Sequence, residues 1–175
     1  ERYPNATGPF IVHRLDMSTS GIMVVTKTKE AHEYIQFQFI KRLIKKRYVA
    51  VLDGEINTEE GVIDLPLRLD IDDRPRQMVC PKKGKQAKTR WELISKQNGK
   101  SRVYYYPETG RTHQLRIHCA QFLNSPILGD KIYGSEGMIL KNKGLFLSAT
   151  AISFHHPLNG QKISFKQKSF RFIFI

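Results

Sequence analysis

The chain of 175 residues is 40% hydrophobic, which fits one globular domain able to bury about 70% of its unfolded surface. It carries 29 Lys and Arg against 16 Asp and Glu, and the net charge of +13 favours a polyanionic partner such as nucleic acid. The two cysteines form no CxxC pair, so we expect neither a disulfide framework nor a zinc knuckle, as is usual in the cytoplasm. No apolar run reaches about 18 residues, so we expect no membrane partner.

Apolar periodicity predicts the elements of the first two thirds of the chain. Two apolar runs flank a polar insert between residues 10 and 25, and the second run continues as a strand over 21–28. Thr28 is predicted to cap a helix over 29–44, on which apolar side chains recur at Tyr34, Phe37, Ile40, Leu43 and Ile44. Strands are predicted to follow at 47–56, 61–65, 77–80, 87–95 and 101–106.

The last third predicts one more helix and a hairpin. The helix is expected to begin near Thr112, with Leu115, Cys119, Phe122 and Leu123 on its apolar stripe and His113 and Arg116 on another side. Residues 145–154 and 161–165 alternate around a turn at 156–160. Many strands, few helices and short turns predict an α+β fold, with a single domain over 1–175 and a mixed, largely antiparallel sheet flanked by helices.

The polar insert F-I-V-H-R-L-D-M-S-T-S-G-I-M-V-V, residues 10–25, is the first candidate for chemistry. Composition alone leaves two interpretations open: a polar hairpin in which Asp16, Ser18 and Gly21 form the turn, or a functional insert. Other sites are weaker. His113 and His118 are five residues apart without an HExxH pattern, and no glycine-rich phosphate loop is present. We therefore expect no metal and no nucleotide cofactor.

The motif H-R-L-D-x-x-T-S-G before an apolar strand resembles the signature of the RluA family of RNA pseudouridine synthases. Further segments are similar to that family in the same order: K-R-Y-V-A at 46–50, G-R-T-H-Q-L-R-I-H at 110–118, L-G-D-K-I-Y-G at 128–134 and L-S-A-T-A-I-S-F-H-H-P at 147–157. The resemblance covers essentially the whole chain. It implies the pseudouridine synthase fold and isomerisation of uridine in structured RNA, without a cofactor.

The resemblance also implies roles for individual residues. Asp16 takes the place of the essential carboxylate, Tyr48 would contact the target base, and Arg116 would be the cation that pairs with Asp16. Arg14 looks like the residue that moves into the space left by a flipped base. The basic character of the chain adds further RNA contacts, for which the candidates are His13, Arg74, Arg76, Lys82, Lys83, Arg111 and His113.

R-P-R-Q-M-V-C at 74–80 looks closest to the RluA branch itself, whose enzymes act on both 23S rRNA and tRNA. We therefore expect rRNA stem-loops, tRNA stem-loops or both as substrate, and a monomeric protein. Nothing before Arg2 resembles the K-P-x-G strand with which family catalytic domains usually begin, and no S4 domain is recognisable. An RNA-binding or chaperone module without turnover is the alternative.

Overall fold

A seven-stranded sheet forms the centre of the computed structural model, which describes residues 6–134 and 144–167. The strands are β1 (Phe10–Ile11), β2 (Ser20–Gly21), β3 (Val25–Thr26), β4 (Lys45–Leu52), β5 (Glu60–Asp64), β6 (Leu67–Leu69), β7 (Gln77–Val79), β8 (Lys88–Gln97), β9 (Lys100–Pro107), β10 (Leu147–His155) and β11 (Lys162–Lys166). The helices are α1 (Lys29–Ile40) and α2 (Gln114–Gln121).

The large sheet has the order β11-β10-β4-β9-β8-β5, with every neighbouring pair antiparallel. Strand β2 joins this sheet by pairing in parallel with β10, and β1–β3 and β6–β7 form two small antiparallel sheets. Together these pairings make a mixed, largely antiparallel sheet in an α+β fold, as the sequence predicts.

The main hydrophobic core lies between the sheet and α2. Leu52, Trp91 and Tyr105 from the strands pack in one buried cluster with Leu115 and Cys119 from the helix. The predicted apolar stripe of α2 is confirmed at these two positions. The last two predicted positions lie beyond the end of α2 at Gln121: Leu123 is only partly buried against the core, and Phe122 is 48% exposed.

Helix α1 begins as predicted but buries a different face. The hydroxyl of Thr28 accepts a hydrogen bond from the backbone N–H of Ala31 at 3.2 Å, which confirms the cap. The buried residues of α1 are Ile35 and Gln38, whereas Ile40 is 75% exposed. Gln38 can be buried because its amide donates to the carbonyl of His155 at 2.9 Å and accepts from the N–H of His155 at 2.8 Å.

The predicted strand over 21–28 is two short strands in the structure. Gly21 pairs with Ala149 of β10, whereas Val25 pairs with Ile11 of β1. The chain therefore leaves the large sheet between these two contacts. Because Ala149 is also opposite Tyr48, the pairing places the end of the polar insert one strand away from the middle of β4.

Candidate active site

A cavity of about 280 Å³ opens where the polar insert meets β4 and the start of α2. The predicted site residues that line it are His13, Arg14, Asp16, Tyr48, Arg111 and Arg116. They come from three segments that are distant in sequence and adjacent in space. The cavity is the part of the described structure where the predicted catalytic residues converge.

Asp16 lies on a tight turn that a glycine anchors to the sheet. The backbone N–H of Thr19 donates to the backbone carbonyl of Asp16 at 2.8 Å, and the Asp16 side chain is half-buried at the cavity. Gly21 follows with φ +116°, and a Cβ there would lie 2.2 Å from the carbonyl oxygen of Ala149. Only glycine permits this approach, so the short pairing with β10 fixes the position of the carboxylate.

The His13 side chain makes its contacts within the protein. Its Nε2 accepts a hydrogen bond from the backbone N–H of Val24 at 2.9 Å, and its ring centroid lies 5.1 Å from that of Phe39. Burial and then the charge of Lys46 lower the pKa of His13, in keeping with a neutral, accepting imidazole. His13 thus connects the two ends of the loop that carries Asp16, through its hydrogen bond with Val24. Its expected RNA contact stays a prediction.

Tyr48 projects from β4 into the same cavity. Burial and the negative charge of Asp16 raise the pKa of the Tyr48 phenol to about 12. The phenol is therefore neutral at physiological pH, and it lines the same cavity as the Asp16 carboxylate. A neutral aromatic ring beside a carboxylate suits a site that holds an uncharged base.

Arg116 is buried in α2 and has a different partner from the predicted one. Its Nε and Nη2 atoms lie 2.7 and 2.6 Å from the two carboxylate oxygens of Asp130, and the two residues are only 4% and 1% exposed. Burial alone would raise the pKa of Asp130, but the hydrogen bonds and charge of Arg116 outweigh it and lower that pKa. Among the described residues, Arg116 pairs directly with Asp130 and not with Asp16. The catalytic role expected of Arg116 stays a prediction.

Asp130 and Gln114 are site residues to which the sequence assigned no role. Asp130 also accepts hydrogen bonds from the N–H groups of Ile132 and Tyr133, so both its oxygens are engaged. Gln114 is buried and holds the start of α2. The N–H of Arg111 donates to its Oε1 at 2.9 Å, and its Nε2 donates to the carbonyl of Lys88 at 3.1 Å. The available signal was that both residues lie inside segments similar to the family's motifs, Gln114 in 110–118 and Asp130 in 128–134.

The β6–β7 hairpin reaches the site through Tyr133. The Tyr133 hydroxyl accepts from the backbone N–H of Gln77 at 2.8 Å and lies 3.0 Å from Nδ1 of His113. His113 stands at the N-terminus of α2 with φ 55°, and burial, followed by the charge of Arg116, lowers its pKa. The hairpin is thus linked to Arg116 through a pair of aromatic rings.

The remaining predicted RNA contacts do not line the cavity. Arg76 lies 2.8 Å from Asp73 and 5.8 Å from the centroid of the Tyr133 ring. Arg74, Lys82 and Lys83 are exposed. Their place on the β6–β7 hairpin and the turn after it leaves them available to an RNA larger than one nucleotide.

Comparison with known proteins gives consistent matches in sequence and in structure. The RNA pseudouridylate synthase family matches residues 1–121. The dual-specificity RNA pseudouridine synthase RluA of Escherichia coli K12 is 42% identical over 165 residues, which is 94% of this chain and 74% of that protein. RluA of Vibrio parahaemolyticus is 43% identical over 162 residues, 90% of this chain and 63% of that protein.

A solved structure supports the same assignment. Human RNA pseudouridylate synthase domain containing 1 superposes with a TM-score of 0.82 at 28% identity, covering 96% of this chain and 71% of that one. Sequence similarity at this level over nearly the whole chain, with the same fold, leaves one conclusion. The chain belongs to the RluA family of RNA pseudouridine synthases, enzymes that isomerise uridine to pseudouridine in RNA.

Proposed function

We propose that this chain isomerises uridine in stem-loops of rRNA, tRNA or both, with Asp16 as the catalytic carboxylate. The observation that carries the proposal is the convergence of Asp16, Tyr48 and Arg116 on one cavity from three separate parts of the chain. An RNA-binding module without turnover would not need a carboxylate and a half-buried tyrosine in one cavity of a basic protein. Membership of the enzyme family also disfavours that alternative.

The chemistry requires one carboxylate and no redox partner. The N1–C1′ bond breaks, the uracil turns, a C5–C1′ bond forms, and the proton lost from C5 is balanced by the proton gained at N1. A carboxylate can act as a nucleophile at C1′ or assist proton removal there, and Asp16 is suited to both routes. The buried Arg116 lines the same cavity as Asp16 and is held in place by its two hydrogen bonds to Asp130.

Base flipping is the step that brings the target nucleotide to Asp16. A base stacked in a helix or loop is out of reach, and extruding it costs a few kcal/mol. The neutral ring of Tyr48 offers the uracil a stacking surface in the cavity. Arg14 lines the cavity two residues before Asp16 and is exposed, so it is available to fill the space that the base leaves.

The catalytic assignment is tested with Asp16→Asn. We expect no pseudouridine formation, with RNA affinity within a few fold of wild type because affinity comes mainly from phosphate contacts. Asp72→Asn is the matched control, since Asp72 is exposed and lies outside the lining of the cavity. Turnover by Asp16→Asn comparable with that of the control would reject the assignment.

The substrate is tested with isolated hairpins. A small domain covers a limited RNA footprint, so the flipped loop and its closing stem are expected to supply most of the specificity. Transcripts of the tRNA anticodon stem-loop and of rRNA hairpins should be modified by the chain. Modification of rRNA hairpins alone would reject dual specificity, and inertness on every hairpin would reject recognition of short stem-loops.

The wider RNA surface is tested by salt and charge. Neutralising several phosphates releases counterions, so log K is expected to fall linearly with log salt. Charge reversal at Lys82 and Lys83 should reduce that slope if the turn after β7 contacts RNA. An unchanged slope would exclude these two lysines from the interface.

A further inference from the structure

Lys46 is a cation of the site to which the mechanism above gives no role. It lies on β4 two residues before Tyr48, so both side chains project from the same face of the strand into the cavity that Asp16 lines. Its Nζ lies 3.8 Å from the position that a Cβ on Gly110 would occupy. The amine therefore reaches across the end of the sheet to the loop before α2.

Lys46 differs from Arg116 and Arg111, which line the same cavity, because its charge is not engaged. Arg116 is paired with Asp130, and Nε of Arg111 donates to the carbonyl of Gln86 at 3.0 Å. Within the described residues, Lys46 makes no side-chain hydrogen bond or ion pair. Burial lowers its pKa, as expected for an amine removed from water without an anion beside it.

Lys46 also stands where the Asp16 cavity meets a second groove. This groove has a volume of about 390 Å³ and shares Phe39, Lys46, Thr109, Gly110 and Arg111 with the Asp16 cavity. It runs between the end of α1 and the loop that precedes α2. Ile40 on one wall is 75% exposed, and Glu108, the carboxylate of the groove, lies 3.4 Å from Lys88.

We propose that Lys46 binds the phosphate of a nucleotide adjacent to the flipped uridine, and that the groove beyond it, between α1 and Gly110, holds that flanking single strand. An apolar wall with a cation at its inner end matches the two parts of a nucleotide, because bases stack on apolar side chains and phosphates pair with ammonium groups. Arg42 at the outer end of the groove supplies a second positive charge. This proposal rests on the proposed placement of the target base beside Asp16.

The effect of replacing Lys46 on Tm and on RNA affinity distinguishes phosphate binding from a structural role. A half-buried amine without an ion partner opposes folding, so Lys46→Met, which keeps the length of the side chain, should leave Tm unchanged or raise it. The same substitution should weaken RNA binding about tenfold or more, as expected for loss of a charge-assisted hydrogen bond. Lys46→Arg should retain most of the affinity, and Lys96→Met, an exposed strand lysine outside both grooves, should have no effect.

The phosphate itself is identified by a linkage scan. Every protein carries Asp16→Asn so that binding is measured without turnover, and the probes are stem-loop RNAs with one neutral methylphosphonate linkage at each loop position in turn. With Lys46 present, one linkage next to the target should weaken binding about tenfold, and with Lys46→Met that same linkage should have no effect.

The result that overturns the proposal is equally specific. If Lys46→Met binds the unmodified RNA as tightly as its parent, or if every linkage affects both proteins equally, Lys46 does not bind a flanking phosphate. Failure of the parent to bind any stem-loop would also overturn it. None of these outcomes depends on turnover, whereas the catalytic assignment fails only if Asp16→Asn still makes pseudouridine.

Discussion

Asp130→Asn should destabilise the protein strongly, because it leaves the Arg116 guanidinium buried without its counter-charge. The two residues are 4% and 1% exposed, and both bonds between them are short, at 2.6 and 2.7 Å. Breaking a buried pair by removing one partner costs about 3–5 kcal/mol. For a chain of this size, each kcal/mol lowers Tm by about 2–4 °C, so we expect a decrease of roughly 6–20 °C.

An exposed ion pair provides the matched control. Asp73 lies 2.8 Å from Arg76, but the two side chains are 62% and 42% exposed, so Asp73→Asn should cost less than about 1 kcal/mol. Both variants are measured by chemical unfolding and by pseudouridine formation at a temperature at which they are folded. We expect Asp130→Asn to lose activity as well, because Arg116 is then no longer held in the wall of the Asp16 cavity.

The pH dependence gives a second measurement of the same pair. The pKa of Asp130 is lowered in the folded state, so its contribution to stability is fully present above its unfolded pKa of about 3.8 and is lost as pH falls through the folded value. The stability difference between wild type and Asp130→Asn should therefore shrink below about pH 4. If wild type and Asp130→Asn differ by less than about 1 kcal/mol in free energy of unfolding at pH 7, the Arg116–Asp130 pair is not shielded from water in a fixed geometry, and the reasoning is refuted.

Three other substitutions test the surroundings of the site. Gly21 has φ +116°, and a Cβ there would lie 2.2 Å from the carbonyl oxygen of Ala149, so Gly21→Ala should lower the free energy of unfolding by roughly 3 kcal/mol or more and abolish activity. Gly160 has φ +66° with no atom within 4 Å of such a Cβ, so the control Gly160→Ala should lower it by only about 1 kcal/mol. Burial lowers the pKa of His118 to about 4, so the contribution of the neutral imidazole to stability is lost as pH falls from about 6.5 to 4. Across that range, the free energy of unfolding of His118→Leu should therefore change less with pH than that of wild type. Tyr48→Phe should keep far more activity than Tyr48→Leu if the ring stacks on the base, and equal losses would contradict stacking.

Local sequence determined those features whose physical cause lies within a few residues. The Thr28 hydroxyl caps α1 because it is three residues from the N–H that it accepts. The strand at β4 and the core contacts of Leu115 and Cys119 follow from side-chain periodicity. The motif around Asp16, together with the later segments in the family's order, likewise identified the family, because the residues of each segment are contiguous.

Only the tertiary structure decided the features that depend on distant partners. The buried face of α1 contains Gln38, a polar residue that periodicity places outside, because the backbone of His155 satisfies its amide. Arg116 pairs with Asp130 instead of Asp16, since Asp130 is brought beside it while Asp16 remains at the cavity. The sequence alone singled out Arg116 and Asp16 but not Asp130. The pairing of Arg116 with Asp130 required the fold, because a charge pair depends on distance in space and not on separation along the chain.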